Sequence, residues 1–455
     1  MGEDTHTTEG VDTLLGDPKK AILNQSGPMI IAMLVNSLYS LVDSIWVAGL
    51  GDNALAAVGF ITPVFLIGIG FAAGLGAGAT SAISRFIGAG DKNRVDNAGM
   101  HTILLVLVAT VILTFTIWLF LKPIMMFLGA GITIDMCMEY GNVVFAGMIF
   151  FIFSAAVFGI LRGEGNVKKT TYAIILGATL NIIFDPIFIY VLGWGLAGAG
   201  FASILASAIG CIPLLYWLKG NTYIDLNFKK FKYDFKILKT ILNVAIPSAS
   251  EFLVIAILSG ALNTILVTVS GPQGVAIYSA GWRVVMIAIV PLLSVGMAVV
   301  PIAGASFGAR KFNKLIVGEN YAIKLGILIA IITAIATYML APYIAVLFSY
   351  SGETIALGPK IADFLKIMCL FYLFVPIGVV SSSMFQGFGK GIHSLALAAI
   401  RELLLIVVVS YILAIIFGFG KEGVWWGIVI GNIIGSLIAY GWSKIYIKKL
   451  IELNS

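Results

Sequence analysis

The sequence has 455 residues, of which 60% are hydrophobic and only 11% carry a charged side chain, and its mean hydropathy is +1.04. A soluble domain needs charged residues at about 25% of its positions to cover its surface, so this composition excludes a soluble globular protein. The net charge of +6 is carried by short basic clusters between apolar stretches. That pattern indicates membrane topology and argues against a nucleic-acid partner.

Reactive side chains are too scattered to form a catalytic or metal centre. The cysteines, Cys137, Cys211 and Cys369, lie far apart in or beside apolar stretches, which argues against disulfides and a cysteine-based metal site. The three histidines lack ligand spacing, and no phosphate-binding GxxxxGK(S/T) loop is present to bind ATP. We therefore predict a protein that is not an enzyme and that has no cofactor.

Twelve apolar stretches are long enough to cross a membrane, since a hydrocarbon core about 30 Å thick needs roughly 20 residues in helix. We therefore predict an all-α membrane protein of twelve transmembrane helices in two six-helix lobes. The first lobe contains spans at 27–49, 55–84, 97–121, 138–161, 169–193 and 196–218. The second contains spans at 241–270, 274–305, 316–347, 358–385, 393–418 and 422–447.

Polar segments divide the chain into four parts. Residues 1–26 carry five acidic residues and lack the apolar core of a signal peptide, so we expect a flexible cytoplasmic tail. Residues 27–218 would form the N-terminal lobe, 219–240 a solvated cytoplasmic linker, and 241–455 the C-terminal lobe. One set of alternate loops holds 21 lysines and arginines against three in the other set. Basic loops stay in the cytoplasm, which predicts a multi-pass plasma-membrane protein with both termini cytoplasmic.

Two carboxylates interrupt the apolar spans of the first lobe. Asp43 in span 1 shares a helical face with Tyr39 and Asn36, and Asp185 in span 5 follows Asn181 by one turn. An ionised carboxylate at a helix centre costs ~2.5–3.5 kcal/mol, which favours a functional role over chance. These oxygen-rich groups suit a hard cation such as Na⁺, and equally a shared proton. For Asp43 the alternative is a position at the lipid headgroups facing water.

Two further patterns lie in the same lobe. Pro186 removes a backbone donor and should free the carbonyl of Ile182 beside Asp185. A nucleotide-loop-like pattern is formed by Gly68, Gly70, Gly74, Gly76 and Gly78, but no strand precedes it. The one-turn spacing of Gly70, Gly74 and Gly78 predicts a close helix–helix contact instead.

The charges in the spans of the second lobe are different. Glu251 lies four residues after Pro247 in span 7, Arg283 lies in span 8, and Arg401 and Glu402 lie in span 11. Pairing among them would neutralise them, so a structural ion pair and a substrate contact both stay open.

The two halves of the chain repeat each other. LNQSGPM around Pro28 corresponds to LNVAIPS around Pro247, FIGAGDKNR (86–94) to SFGARKFNK (306–314), and ILRGEGN to MFQGFGK, at separations of 219, 220 and 224 residues. Six spans per half mean that both halves enter the membrane from the same side. A parallel repeat of this kind is a common plan for alternating-access transport, although duplication can also serve packing alone.

The stretches SLYSLVDSIWVAGLGDNALAAVGF, ILRGEGN, LNIIFDPIFIY and FQGFGKG resemble the multidrug and toxic compound extrusion (MATE) family, closest to archaeal members of its DinF-like branch. The resemblance extends from about Gly16 to the last span. It implies a V-shaped, twelve-helix exporter of amphipathic organic cations or lipophilic compounds, driven by Na⁺ or H⁺ antiport.

The resemblance also implies roles for individual residues. The coupling cation would bind at Asp43, Asp185, Asn181, Tyr39 and Ser203, with Na⁺ held by Asp43, Asn181, Asp185 and Ser203. The resemblance assigns substrate binding or gating to Pro28, where span 1 bends, and to Tyr140. To these we add Asn36, Glu251 and Arg283, because they are polar residues within the spans. Related chains carry asparagines where this one has Ala155 and Phe158, which predicts a more apolar pocket wall.

Together these observations predict a secondary active multidrug exporter that works as a monomer, with small amphipathic organic substrates and membrane lipid as its partners. A flippase for a lipid-linked precursor is one alternative, for which Arg283 and Arg401 would supply a cationic cavity. A channel or non-transporting receptor is the other.

Overall fold

The structure, a computed structural model, describes residues 8–220, 222–349 and 352–454, and those residues contain helices and no strand. The helices are α1 (Glu9–Leu15), α2 (Pro18–Ala48), α3 (Asp52–Gly88), α4 (Lys92–Phe127), α5 (Ile134–Ala146), α6 (Met148–Gly163), α7 (Val167–Pro186), α8 (Gly195–Leu218), α9 (Phe235–Gly308), α10 (Phe312–Val346), α11 (Gly358–Gly387), α12 (Gly391–Ala398), α13 (Val407–Tyr411) and α14 (Gly420–Glu452). Short 3-10 helices occupy Gly131–Thr133 and Gly352–Leu357, and π-helical segments occupy Ile187–Val191, Ala399–Ile406 and Ile412–Ile416.

The described helices make twelve membrane spans, as predicted. Ten helical stretches are each long and apolar enough to cross, and α5 with α6, bent by 42°, forms one more span. Helix α9 counts twice, because its 74 residues would reach about 110 Å if straight and Gly271 breaks it with φ 61° and ψ −160°. Both ends of α9 pack against α3, at Gly78 and at Gly88, so α9 folds back as spans 7 and 8.

The predicted boundaries need three corrections at the polar segments. Residues 9–15, expected to be flexible, form α1, because Thr8 caps it and its Val11 and Leu14 side chains are buried. Span 1 begins at Pro18, capped by Asp17, and not at residue 27. The linker ends where α9 begins at Phe235.

The linker is packed and not merely solvated. Ile224 is 2% exposed, and the backbone amide of Tyr223 donates to Glu164 Oε2 at 2.8 Å. The backbone amide of Asp225 donates to Asp96 Oδ1 at 2.7 Å. The linker is therefore hydrogen-bonded to the N-terminal lobe.

The backbone repeats between the lobes as the sequence does. Left-handed glycines occur in pairs, with φ of 82° at Gly165 and 76° at Gly389, and of 68° at Gly193 and 73° at Gly418. The π-helical segments Ile187–Val191 and Ile412–Ile416 also occupy equivalent positions. Since only glycine enters the left-handed region freely, these pairs preserve the same turns in both halves.

The lobes meet along α3 and α9. Added methyls on Gly70, Gly74 and Gly78 would contact Phe252, Ala245 and Ile241 respectively, so the predicted close helix–helix contact is confirmed. It is a contact between lobes, in which small residues let the two backbones approach.

A second contact lies on the membrane side that holds both ends of the twelve-span bundle, which we call the termini side. A Cβ added to Gly88 would lie 2.0 Å from the Ala305 carbonyl oxygen, and one added to Gly308 would lie 2.0 Å from the Arg85 carbonyl oxygen. Ser81 Oγ also donates to the Gln386 carbonyl oxygen at 2.5 Å. We call this contact, formed by residues 81–88, 304–308 and 386–389, the seam.

Candidate functional site

The carboxyl groups of Asp43 and Asp185 meet between spans 1 and 5. They lie within hydrogen-bonding distance of each other. Asp185 is fully buried, whereas Asp43 is half-buried. Among the described residues, no donor forms a hydrogen bond with Asp185 Oδ1. Two ionised carboxylates in such contact repel each other, so this arrangement favours binding of one proton or cation between them.

Asn181 and Ser203 complete the far side of this pair. With the Asn181 amide oriented so that donors meet acceptors, its nitrogen donates to Asp185 Oδ2 at 2.8 Å. Its oxygen then accepts from Ser203 Oγ at 2.9 Å and from the Ser203 backbone amide at 3.2 Å. Asn181 is 2% exposed. The hydrogen bonds that link Ser203 on span 6 to the carboxyl pair therefore lie inside the lobe.

The two predicted tyrosines lie at the same place. The Tyr39 hydroxyl hydrogen-bonds with Ser203, and its side chain interacts electrostatically with both carboxyl groups. Tyr140 from α5 interacts with Asp43, Asp185 and Tyr39. The structure therefore brings together all five residues assigned to cation coupling and the tyrosine assigned to the pocket.

A cavity of about 160 Å³ adjoins these residues. Asn36, which is exposed on span 1, lines it together with Tyr39, Asn181 and Ser203. The rest of its wall comes from span 4 and from small residues of spans 5 and 6: Phe151, Ser154, Ala155, Phe158, Ala173, Ile174, Gly177, Ala178, Ala206, Ser207 and Gly210. Three of the five residues assigned to cation coupling therefore also line the cavity.

Spans 1 and 5 are joined on both sides of the carboxyl pair. Thr171 Oγ1 donates to the Pro28 carbonyl oxygen at 3.0 Å, and Tyr190 Oη donates to the Trp46 carbonyl oxygen at 2.6 Å. Tyr190 lies in the π-helical segment that follows Pro186. π-Helical turns are frequent at functional sites, and this one positions the second of the two bonds. The freed Ile182 carbonyl stays a prediction.

The family model MatE matches residues 28–187 and 247–412 of the chain, one segment in each lobe. The chain belongs to the MatE family. It is therefore a membrane transporter and not an enzyme, and the expected family and fold class are confirmed.

Similar proteins are known from sequence and from structure. The multidrug export protein MepA of Staphylococcus aureus is 25% identical over 423 residues, which cover 92% of each chain. A solved outward-facing conformation of a multidrug resistance MATE family transporter is 40% identical, covers 98% of this chain and 99% of its own, and has a TM-score of 0.95. A MOP superfamily transporter from Pyrococcus furiosus is 39% identical, with coverage of 98% and 99% and a TM-score of 0.94.

The polar residues of the C-terminal lobe in this MatE chain do not mirror the carboxyl pair. Glu251 Oε1 accepts from Ser394 Oγ at 2.9 Å and from Gln386 Nε2 at 3.3 Å. Arg401 pairs with its neighbour Glu402 at 2.5 Å. Arg283 is exposed and forms no ion pair within residues 8–220, 222–349 and 352–454. Among the described residues, neither Glu251 nor Arg283 forms a hydrogen bond or ion pair with Asp43 or Asp185.

Sequence reasoning missed a buried ion pair in this MatE lobe. Glu319 on α10 is fully buried, and its Oε2 lies 3.0 Å from Lys444 Nζ on α14. Ser381 Oγ donates to Glu319 Oε1 at 3.4 Å. The signal was present, because Glu319 falls inside the predicted span 316–347.

No cluster of three or more His, Cys, Asp or Glu residues occurs in the part of the chain that the structure describes. Any bound cation at the MatE coupling residues must therefore rely on two carboxylates with neutral oxygens. The ligand set expected for Na⁺, Asp43, Asn181, Asp185 and Ser203, stays a prediction.

Proposed function

We propose that the chain is a cation-coupled antiporter that exports small amphipathic organic cations or lipophilic compounds by alternating access. One observation carries the proposal: Tyr39, Asn181 and Ser203 line the cavity and also surround the carboxyl pair. Binding of a cation at the pair and of a substrate in the cavity would therefore compete for the same side chains. Such competition is what an exchange of one for the other requires.

We propose a proton as the coupling ion. A proton on one carboxyl would supply the hydrogen bond that Asp185 Oδ1 otherwise lacks. A hard cation takes about six oxygen ligands, whereas a proton needs only the two carboxyl groups. Protonation would also relieve the repulsion between Asp43 and Asp185 and so favour a rearranged span 1.

Span 1 is the element expected to move. Pro28 leaves it one backbone hydrogen bond short, which makes a bend inexpensive at that residue. The positive-inside bias supports a cytoplasmic location for both termini. We also propose that one chain is the working unit, because the coupling residues and the cavity both lie within its N-terminal lobe.

Transport into vesicles with imposed gradients tests the coupling. Proteoliposomes containing the purified chain should accumulate a lipophilic cationic dye when a proton gradient alone is applied. Asp43→Asn and Asp185→Asn should each abolish this uptake, and the double variant should be little worse because both residues serve one step. The exposed Asp135 provides the control, since Asp135→Asn should leave uptake intact.

Three outcomes would redirect the proposal. Uptake driven by a sodium gradient alone would replace the proton by Na⁺ at the same residues. Wild-type uptake rates in either single variant would remove the carboxyl pair from the mechanism. Transport of a pyrophosphate-linked lipid with no cation transport would favour the flippase, although Arg401 is already paired with Glu402.

A further inference from the structure

The cavity beside the carboxyl pair has the size of one ring. Its volume is about 160 Å³, whereas pockets that enclose a whole drug-sized molecule measure roughly 300–1,000 Å³. An apolar cavity of about 150 Å³ accommodates a single benzene molecule. The cavity therefore has room for one six-membered ring and not for an entire multidrug substrate.

Two walls of this cavity suit an aromatic ring. Phe151 and Phe158 form one wall, and Phe151 is held edge-on against Phe65 with ring centroids 5.9 Å apart. Aromatic rings favour such edge-to-face neighbours by about 0.5–1.5 kcal/mol beyond the area they bury. The wall formed by spans 5 and 6 consists mainly of small residues, among them alanines and glycines, which leave the space between the helices open.

Two glycines in that wall are not required by helix packing. A Cβ on Gly177 would come no closer than 4.0 Å to Ala206, and one on Gly210 no closer than 3.9 Å to Ala173. By contrast, a Cβ on Gly198 in the same pair of helices would lie 2.6 Å from the Phe188 carbonyl oxygen. Gly198 allows a close approach, whereas Gly177 and Gly210 keep a volume free.

The polar end of the cavity fixes where a charge would lie. Asn36, Tyr39 and Asn181 line it, and Asn181 also donates to Asp185. A cationic nitrogen attached to a buried ring by a short linker would therefore reach the vicinity of the carboxyl pair. Its attraction to a carboxylate, at low local dielectric, adds to the binding of the ring.

We infer that this cavity is an anchor pocket for a single aromatic ring of the substrate, and that Gly177, Gly210 and Phe158 determine its specificity. The preferred substrates are then monocations that carry one unfused aromatic ring within one or two bonds of the charged nitrogen. The rest of a larger substrate lies outside the pocket. This inference rests on the proposed export of organic cations and specifies the class of cation.

Competition between paired ammonium ions tests the anchor pocket. Uptake of a cationic dye into proteoliposomes is measured in the presence of benzyltriethylammonium or of tetraethylammonium, in which a methyl group replaces the phenyl ring. In the wild type the benzyl compound should inhibit at a lower concentration. Gly177→Ala and Gly210→Ala place a methyl group in the pocket without a steric clash, so each should reduce this advantage about tenfold and leave tetraethylammonium inhibition unchanged.

Two further variants separate the pocket from general effects. Gly441→Ala adds a methyl to α14 where no atom lies within 4 Å, and it should keep the wild-type ratio. Cyclohexylmethyltriethylammonium carries a saturated ring in place of the phenyl ring. Phe158→Leu removes an aromatic edge and retains an apolar wall, so it should weaken inhibition by the benzyl compound, relative to tetraethylammonium, more than inhibition by the cyclohexyl compound. Thermal melting of each variant identifies any that fails to fold. If one of the two glycine variants fails, the other one serves for the test.

Each outcome decides the matter. If dye uptake persists and the benzyl-to-ethyl ratio stays at its wild-type value in both glycine variants, the anchor pocket is wrong and the proposed export stands. An equal loss of both inhibitors in the glycine variants also overturns it, because that result indicates a general defect. If the wild type takes up no organic cation at all, the proposed function itself fails.

Discussion

Arg310 has a left-handed backbone, with φ 55°, and is the one non-glycine residue with positive φ among those described. Its equivalent in the first lobe is Gly90, with φ 70°. A side chain in this region costs about 1–2 kcal/mol. The second lobe therefore keeps the turn of the first at an energetic cost.

Replacing Arg310 by glycine should relieve that cost. We expect Arg310→Gly to melt at a higher temperature than the wild type in a thermal-shift measurement in detergent. Arg310→Ala removes the charge and keeps the Cβ, so it should raise the melting temperature less than Arg310→Gly does. Gly90→Arg should lower the melting temperature. Equal gains from alanine and glycine would attribute the effect to the charge and not to the backbone.

The Glu319–Lys444 ion pair should respond unequally to loss of either partner. Glu319 is fully buried, whereas the Lys444 side chain is 26% exposed and its Nζ also donates to Asn320 Oδ1 at 2.7 Å. Lys444→Met would leave a carboxylate with no access to water, which costs about 3–5 kcal/mol. Glu319→Gln leaves a lysine that still reaches water and Asn320. We expect the lysine variant to have the lower melting temperature, and the reverse order would contradict the assigned burial.

Glu164 makes stability depend on pH. Burial raises the pKa of this carboxyl group to about 7, although the hydrogen bond from the Tyr223 amide and the charge of Lys169 oppose the increase. Between the ordinary value of 4.5 and about 7, the folded chain holds a proton that the unfolded chain has lost. Stability therefore falls as pH rises through this window.

Glu164→Gln should remove that dependence. The variant should be more stable than the wild type at pH 8, and the difference should shrink as the pH falls towards 4.5. Melting curves recorded between pH 4.5 and 8.5 test this expectation. A constant difference across the range would mean that Glu164 does not titrate there.

At the scale of helices, two hydrogen bonds hold span 1 against span 5 on either side of the carboxyl pair. The bond from Thr171 to the Pro28 carbonyl involves the residue at which the helix bends most readily. Thr170, its neighbour, donates instead to the Val167 carbonyl within its own helix, at 2.6 Å. The two threonines therefore form a matched pair for mutation.

Thr171→Val should loosen span 1 at Pro28. Spin labels at the two ends of span 1 should report a broader distance distribution and a larger bent population than in the wild type, because the carbonyl has lost its partner. Thr170→Val should leave the distribution unchanged. Identical distributions in the two variants would mean that the Thr171 bond does not restrain the helix.

The pattern of apolar stretches and repeated motifs predicted the helices well, and the one-turn spacing of Asn181 and Asp185 predicted one face of the site. The meeting of Asp43 with Asp185 was implied by family resemblance and not by spacing. Bonds such as that from Tyr190 to Trp46, 144 residues apart, have no local signal. Helix α1 was missed because seven residues form a stable helix only against a tertiary surface.

At the scale of the molecule, the seam joins the lobes through backbone contacts too close for any side chain. A methyl group on Gly88 or Gly308 would lie 2.0 Å from a carbonyl oxygen, so the lobes must separate to accommodate it. Gly88→Ala and Gly308→Ala should each favour a conformation open on the termini side. Distances between spin labels on the two lobes should lengthen there in both variants.

Gly59 provides the matched control, since no atom lies within 4 Å of an added Cβ. Gly59→Ala should retain the wild-type distances. Lengthening in only one of the two seam variants would show that the contact is less symmetric in solution than its geometry indicates.

The reciprocity of the seam describes a homodimer interface folded into a single polypeptide. Gly88 meets residue 305 and Gly308 meets residue 85. Gly88 and Gly308 are equivalent positions of the two lobes, as are residues 85 and 305, so the two contacts are exchanged by the repeat as in an isologous twofold contact. In a true homodimer every substitution appears twice and must suit both copies. Here the covalent link removes that constraint, so Asp43 could be placed in one lobe and Arg401 in the other while the shared surface kept its symmetry.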